Sequence, residues 1–205
     1  GTYDDAFDLT IQCADEFGWY CRNTGYNPFT AEGKKTAAFE IWEWWQDAHA
    51  KWHDEFGEGL DHPPLSVFVS VGDGNIISGI HKGFKDLYQL GWLPRLPRII
   101  GVQAKGSAAI ANAFHAGTEE IIHVSAKTIA DSISVDLPRD GVRAVRAVKE
   151  TGGTYVNVSD EEILKAIAEL GRVGIFAEPA GATAYAGLVK EAGSGGVGGE
   201  DPILV

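Results

Sequence analysis

The seven-residue run from Leu65 to Val71 constrains the fold more than any other feature of this chain. It is nearly continuous in apolar residues and has the length of one strand, which is typical of a parallel strand buried on both faces. A glycine-rich loop, 72–75, follows directly, and a second apolar run, Arg98 to Gln103, comes after a stretch with helical periodicity. This order predicts a βαβ unit with a right-handed crossover. The intervening helix is expected to bury a face formed by Ile76, Ile80, Phe84 and Leu87.

Helical and strand patterns alternate over the rest of the chain. Helices are predicted at Tyr3–Phe17, from about Lys35 to about Phe56, at Asp140–Thr151, from Ser159 onwards, and from about Ala180 to about Ala192. Strands are predicted at Thr154–Val158 and Pro202–Val205, with a short one at Ile121–Val124, and residues 22–33 are rich in turn formers. This alternation indicates the α/β class, with a mainly parallel, twisted sheet and helices on both faces.

The charge of the chain argues against several classes of partner. The formal net charge is −12, which disfavours binding to nucleic acid or to an anionic membrane, because both need basic patches. No apolar run is long enough to span a bilayer and no signal peptide opens the sequence, so we expect a cytoplasmic protein. The two cysteines, Cys13 and Cys21, match no metal-binding pattern and are interpreted as reduced thiols.

Both ends of the sequence indicate an incomplete chain. It begins with Gly1 and contains no methionine, and its last residues, 202–205, have the pattern of a buried strand that stops within its apolar run. The partners of such a strand normally continue beyond it. We therefore expect residues 1–205 to be part of one domain of a longer protein.

The loop Gly72-Asp73-Gly74-Asn75 lies where open α/β sheets carry their chemistry, between the carboxyl end of a buried strand and the start of a helix. Glycines let the backbone approach a ligand closely, and exposed amides together with the helix dipole stabilise a phosphate. The spacing is that of neither a Walker loop nor a Rossmann fingerprint, and a tight turn without a ligand is an equally good interpretation. Because Asp73 would repel a phosphate, its side chain is expected to point away from the anion and to cap the helix.

The segment from Val69 to Gly79 resembles the phosphate loop of threonine synthase and related pyridoxal-phosphate (PLP) enzymes of the tryptophan-synthase β-like fold, fold type II. Further segments agree with that family in order and spacing: Asn27-Pro28 with Glu32–Thr36, Ile99–Gln103, Thr128–Ser134 and Glu178–Ala182. Each motif is modest alone, but five in the right order cover almost the whole chain. The resemblance implies that residues 1–205 are a partial PLP-binding catalytic domain.

The resemblance also implies roles for individual residues. The cofactor phosphate would be held by the backbone amides of Gly72, Asp73, Gly74 and Asn75, and the cofactor ring would lie near Glu178, Ala180 and Gly181. The same cleft would be lined by Ala130, Asp131 and Ser132. The candidate residues for binding an amino-acid phosphate substrate are Asn27, Thr30, Lys34 and Arg22. The resemblance implies no metal. It does imply a homodimer. The side chains of four tryptophans, which are expected to pack rather than to bind a ligand, could contribute to the dimer interface: Trp42, Trp44, Trp45 and Trp52.

Two features depart from a complete threonine synthase. The family usually has an arginine two residues after Asn-Pro, where it grips the substrate phosphate; here that position is Thr30, and a hydroxyl is a weaker clamp. Arg22 could take over from the other side of the turn. The lysine that carries the cofactor is expected upstream of Gly1, because Lys34, Lys35 and Lys82 are interpreted as helix-surface charges.

Three functions are compatible with these residues. The first is a threonine synthase, which converts O-phosphohomoserine and water to threonine and phosphate. The second, favoured by Thr30, is another PLP enzyme of the same fold type, such as a threonine or serine dehydratase or a β-replacement synthase. The third is a homologue that has lost its lysine and binds an anionic metabolite without catalysis. In each case this chain alone is expected to be inactive.

Overall fold

A computed structural model describes residues 1–56, 65–198 and 203–205, except for the side chains of 49–56. The helices are α1 Tyr3–Phe17, α2 Pro28–Lys34, α3 Thr36–Phe56, α4 Asn75–Gln89, α5 Ala109–His115, α6 Gly141–Glu150, α7 Asp160–Arg172 and α8 Pro179–Ser194. The strands are β1 Ser66–Ser70, β2 Arg98–Ala104, β3 Tyr155–Val158 and β4 Ile203–Leu204. Short 3-10 turns lie at Lys105–Ser107 and Asp131–Ile133. Within these ranges, no helix is both long and apolar enough to cross a membrane.

The four strands form one parallel sheet in the order β3-β2-β1-β4. Ser66 of β1 is aligned with Arg98 of β2 on one side and with Ile203 of β4 on the other. Because all strands run the same way, their carboxyl ends meet at one edge, where β1 leads into the loop 72–75. The predicted α/β class, the parallel sheet and the terminal strand are confirmed.

Alternate residues from Val67 to Val71, in β1 and directly after it, supply two separate cores. Val67, Val69 and Val71 pack in the core under α4, α5 and α6, whereas Phe68 packs on the opposite face with residues of α7 and α8. This alternation follows from the two-residue period of a strand, and the three central residues of β1, 67–69, are apolar because both faces of the sheet are covered. The prediction of helices on both faces of the sheet is confirmed.

Three of the four residues predicted for the buried face of α4 are buried, and the fourth is wrong. Ile77, Ile80, Phe84 and Leu87 are buried, but the side chain of Ile76 is 51% exposed. The true face follows the helical spacing of three and four residues, and position 76 lies about 100° around the helix from position 77. The inclusion of Ile76 was therefore wrong, and its side chain instead lines a cavity beside the glycine loop.

Two local predictions in connecting segments were also wrong. The turn-rich stretch 22–33 contains the start of α2, because Asn27 accepts a hydrogen bond from the Phe29 amide at 3.0 Å and Pro28 occupies the first helical position. Residues 121–124 form no strand; their backbone contact is a single bond from the Val124 amide to the Asp136 carbonyl at 3.0 Å.

The tryptophans that were predicted to pack differ in how far they are buried. Trp42 and Trp45 are partly buried against the core, and Trp42 stacks on Trp92 with ring centroids 5.0 Å apart. Trp44 is exposed. The side chain of Trp52 lies outside the described residues.

Two glycines of α4 allow the helices before it to pack closely. A Cβ at Gly79 would lie 2.7 Å from Lys34 Cβ, and one at Gly83 would lie 2.5 Å from the Lys35 carbonyl oxygen. Both distances are shorter than real contacts, so α2 and the start of α3 approach α4 only because side chains are missing there. This packing carries Lys34 to the glycine loop.

Replacing Gly83 with alanine should lower the free energy of unfolding by about 1–3 kcal/mol, because the new methyl group meets a backbone carbonyl that cannot move alone. Gly171→Ala in α7 is the matched control, since nothing lies within 4 Å of its Cβ position. The control should unfold at the same denaturant concentration as the unsubstituted protein or a slightly higher one. Equal midpoints for both variants in urea unfolding would contradict the close packing at Gly83.

Candidate functional site

A cavity of 210 Å³ lies at the carboxyl edge of the sheet, beside the loop 72–75. Its lining comes from four parts of the chain: Tyr3; Thr24 and Lys34; Ser70 to Ile77; and Ser132, Ile133 and Val135. The βαβ topology therefore brings the glycine loop together with α1, α2 and the segment after residue 130.

The backbone amides at the start of α4 are available to a ligand. Ser78 is the first residue of the helix whose amide is bonded within it, to the Gly74 carbonyl at 3.2 Å, and no side chain caps the helix. Among the described residues, the amides of 73–77 have no hydrogen-bond acceptor. Orphan amides and the positive end of the helix dipole form an anion site, so this geometry suits a phosphate.

The two glycines of the loop are required by the packing behind it. Gly74 has φ +87°, and a Cβ there would lie 2.8 Å from Ala144 Cβ on α6. A Cβ at Gly72 would lie 2.9 Å from Ile133 Cα. The loop is thus pressed between α6 and the segment after residue 130, and its amides remain uncovered on the cavity side.

A buried polar group supports the loop from behind. The Asn75 side-chain amide donates to Asp140 Oδ2, and the Asp140 backbone amide donates to the Asp73 carbonyl at 2.9 Å. The other oxygen of Asp140 accepts two bonds from Arg143, from Nε at 2.9 Å and from Nη2 at 2.6 Å. Asn75 Oδ1 is buried and has no partner among the described residues. Asp140 therefore fixes both the loop backbone and the orientation of Asn75, a role that the sequence motif did not reveal.

Asp73 does not cap α4, which corrects that part of the prediction. One carboxylate oxygen accepts a bond from the Tyr3 hydroxyl, and the other accepts from the Arg139 amide at 3.0 Å. Burial raises the pKa of Asp73, an effect that these two donors oppose. Burial and the Asp73 carboxylate raise the pKa of Tyr3, so the hydroxyl remains a donor at neutral pH.

The predicted substrate-binding residues are dispersed. Lys34 lines the cavity, but Asn27 is buried in structural bonds to the Tyr20 hydroxyl at 2.7 Å and the Cys21 carbonyl at 2.9 Å. The Thr30 hydroxyl donates to the Arg22 carbonyl at 2.9 Å, which closes the turn, and neither residue lines the cavity. Thr24, within that turn, does line it. Its position depends on how the turn folds, and no local motif signals it.

The segment Glu178 to Gly181 lies at the same edge of the sheet but outside this cavity. It begins α8, which is anchored at the end of β1 because the Ala184 amide donates to Ser70 Oγ at 2.9 Å. Of the predicted cleft residues, Ser132 lines the cavity, whereas Ala130 is packed in the core and Asp131 is exposed. The proximity of Glu178, Ala180 and Gly181 to a cofactor ring stays a prediction.

The lysines next to the site differ in their surroundings. Lys35 pairs with Glu32 at 2.9 Å and with Asp86 at 3.0 Å, and Lys82 pairs with the same two carboxylates. Both are helix-surface charges, as predicted. Lys34 instead extends along the cavity and forms no ion pair with any described residue.

The sequence profile of a family described as pyridoxal-phosphate dependent enzymes matches residues 1–205. Among curated relatives, threonine synthase of Methanocaldococcus jannaschii is 38% identical over 93% of this chain and 44% of its own length. Threonine synthase of Mycobacterium tuberculosis is 35% identical over 96% of this chain and 49% of its own length. The chain therefore spans about half the length of the curated relatives it matches.

Solved structures share the fold at low sequence identity. Processed threonine deaminase isoform 2 from Solanum lycopersicum superposes with a TM-score of 0.69 at 22% identity, covering 94% of this chain and 49% of that one. Threonine synthase from Escherichia coli gives a TM-score of 0.54 at 20% identity, covering 70% of this chain and 32% of that one. These similarities establish the architecture and say nothing about the substrate.

Proposed function

Because the chain belongs to the family of pyridoxal-phosphate dependent enzymes and has their fold type II architecture, we propose that it is part of a threonine synthase. The complete protein would convert O-phosphohomoserine and water to threonine and phosphate. The relatives named threonine synthase, which match nearly the whole of this chain at 32–38% identity, support this reaction over others of the family.

The unbonded amides of residues 73–77 are the observation that carries the proposal. They suit the phosphate of pyridoxal phosphate, because that group accepts hydrogen bonds and carries the charge that a helix N-terminus favours. Gly72 and Gly74 would let it approach the backbone closely. When bound, the cofactor supplies an electron sink for chemistry at the carbon atoms of an amino acid.

The remaining contribution of this chain is positioning and electrostatics. Lys34 would place a positive charge beside the cavity, where it attracts an anionic substrate. Asp140 and Asn75 would hold the loop rigid, so that the amides need not reorganise when the phosphate binds. Proton transfer at the substrate is assigned to the lysine predicted upstream of Gly1, and Glu178, Ala180 and Gly181 are proposed to lie beside the cofactor ring.

A second candidate is supported by the surroundings of Thr30. Its hydroxyl is engaged with the Arg22 carbonyl, and Thr30 lies outside the cavity lining, so it supplies no clamp for a substrate phosphate there. A dehydratase acting on threonine or serine needs no such clamp. Lys34 and Thr24, which do line the cavity, are the residues that would compensate in a threonine synthase.

The full-length protein supplied with pyridoxal phosphate should release phosphate and threonine from O-phosphohomoserine in equal amounts. The isolated 205-residue chain is the control and should release neither, because the lysine that carries the cofactor is predicted to lie upstream of Gly1. If the protein instead releases ammonia from threonine or serine and no phosphate from O-phosphohomoserine, it belongs to the dehydratase class. A full-length protein that binds no cofactor would overturn the proposal. Its cytoplasmic location and homodimeric state remain predictions.

A further inference from the structure

The side chain of Tyr3 links helix α1 to the glycine loop. Tyr3, in the first turn of α1, donates its hydroxyl hydrogen to the carboxylate of Asp73 and also lines the cavity. The position of Tyr3 is fixed by a capping box, in which Thr2 and Asp5 bond to each other's backbone amides. The contact therefore joins two parts of the chain that are 70 positions apart.

The same end of α1 is held by a second group of contacts. Arg139 donates to Asp4 at 2.9 Å and to Asp8 at 3.2 Å, and its guanidinium lies 4.4 Å from the centre of the Phe7 ring. The Arg139 backbone amide donates to the second oxygen of Asp73. Both oxygens of Asp73 are thus held by donors outside the glycine loop, and loss of the Tyr3 hydroxyl would leave α1 docked through Arg139.

The negative charge of Asp73 is unfavourable in a loop that binds a phosphate. Its carboxylate would repel the anion, and an aspartate at this position can bond to the backbone amide two residues ahead, which here belongs to Asn75. A released Asp73 side chain would compete with the phosphate for the same amides. The loop can bind an anion well only if this carboxylate is kept elsewhere.

We propose that Tyr3 is a positioning residue that holds the Asp73 carboxylate away from the phosphate-binding amides. The inference rests on the proposed function, since it concerns the cofactor phosphate at this loop. It assigns to α1 a part in cofactor affinity that the glycine motif does not contain. In this way α1, which is distant in sequence, would allow a loop that contains an aspartate to bind a phosphate.

The test measures the dissociation constant of pyridoxal phosphate, by its visible absorbance, for full-length protein carrying Tyr3→Phe, Asp73→Asn or both. Tyr3→Phe should weaken binding by about tenfold or more, the effect of one misplaced charge. In the double variant the affinity should return to that of Asp73→Asn, because an uncharged side chain no longer repels the phosphate. Tyr88→Phe is the control: Tyr88 is 49% exposed against 45% for Tyr3, and it should bind normally.

The outcomes separate the two proposals. If the unsubstituted full-length protein does not bind the cofactor, the proposed function fails first. If that protein binds and Tyr3→Phe binds equally well, the inference about Tyr3 is wrong. It is also wrong if Tyr3→Phe weakens binding and Asp73→Asn does not restore it, because Tyr3 would then act only through the docking of α1.

Discussion

The full-length Gly74→Ala protein is expected to bind pyridoxal phosphate about 100-fold more weakly than the unsubstituted protein. Alanine at position 74 is unfavourable for two reasons. The first is conformational, because φ +87° is unfavourable for any residue with a side chain, by about 1–2 kcal/mol. The second is steric: the methyl carbon would lie 2.8 Å from Ala144 Cβ and 3.0 Å from the Asp140 carbonyl oxygen, an overlap worth about 1–3 kcal/mol. Relief of both requires the loop to move off α6, and its amides then no longer converge on one anion.

Gly91→Ala is the matched control for this prediction. Gly91 has φ +74°, so alanine there has the same conformational cost, but nothing lies within 4 Å of its Cβ position. Its stability should fall slightly while its cofactor affinity stays unchanged. Absorbance titration of the cofactor and thermal unfolding of both variants distinguish the two effects. Equal affinities for Gly74→Ala and Gly91→Ala would mean that the loop does not hold the phosphate.

The features of this fold that could be predicted are those that depend on residues contiguous in sequence. The apolar run of β1, the glycines after it and the periodicity of α4 each depend on neighbours in sequence, and each was found where expected. The alternation of strand and helix patterns predicted the parallel sheet, and the family resemblance added the cofactor. Ile76 shows the limit of periodicity: an error of one residue turns a side chain from the core to the cavity.

The site was less predictable because its geometry depends on long-range contacts. Asp73 is oriented by Tyr3 and Arg139, which are 70 and 66 positions away. Local chemistry favoured a helix cap for this aspartate, but its two oxygens accept bonds from donors that only tertiary packing brings close. Thr30 resembles a replaced ligand in sequence, but its hydroxyl closes a turn in space. A spacing argument identifies which residues are close to a motif, and tertiary packing decides which of them face the ligand.

Asp140→Ala is expected to lower the free energy of unfolding by about 1–3 kcal/mol, the cost of leaving a buried hydrogen-bond donor without its acceptor. The Asp140 side chain is only 5% exposed and accepts bonds from Asn75 and from two nitrogens of Arg143. Alanine leaves the Asn75 amide, whose Oδ1 already lacks a described partner, with no acceptor for its buried Nδ2. Because Asn75 opens α4, the damage should also reach the phosphate loop and weaken cofactor binding.

Glu119→Ala is the control that isolates burial as the cause. Glu119 likewise binds an arginine of α6 through two bonds, from Arg146 at 3.0 and 2.6 Å, but its side chain is 39% exposed and that of Arg146 is 55% exposed. Exposed ion pairs contribute little to stability because water and salt screen the two charges, so urea unfolding of this variant should be nearly unchanged. If both alanine variants unfold alike, the Asp140 carboxylate contributes no more to stability than an exposed charge, and the support for the phosphate loop must come from the packing of Gly72 and Gly74.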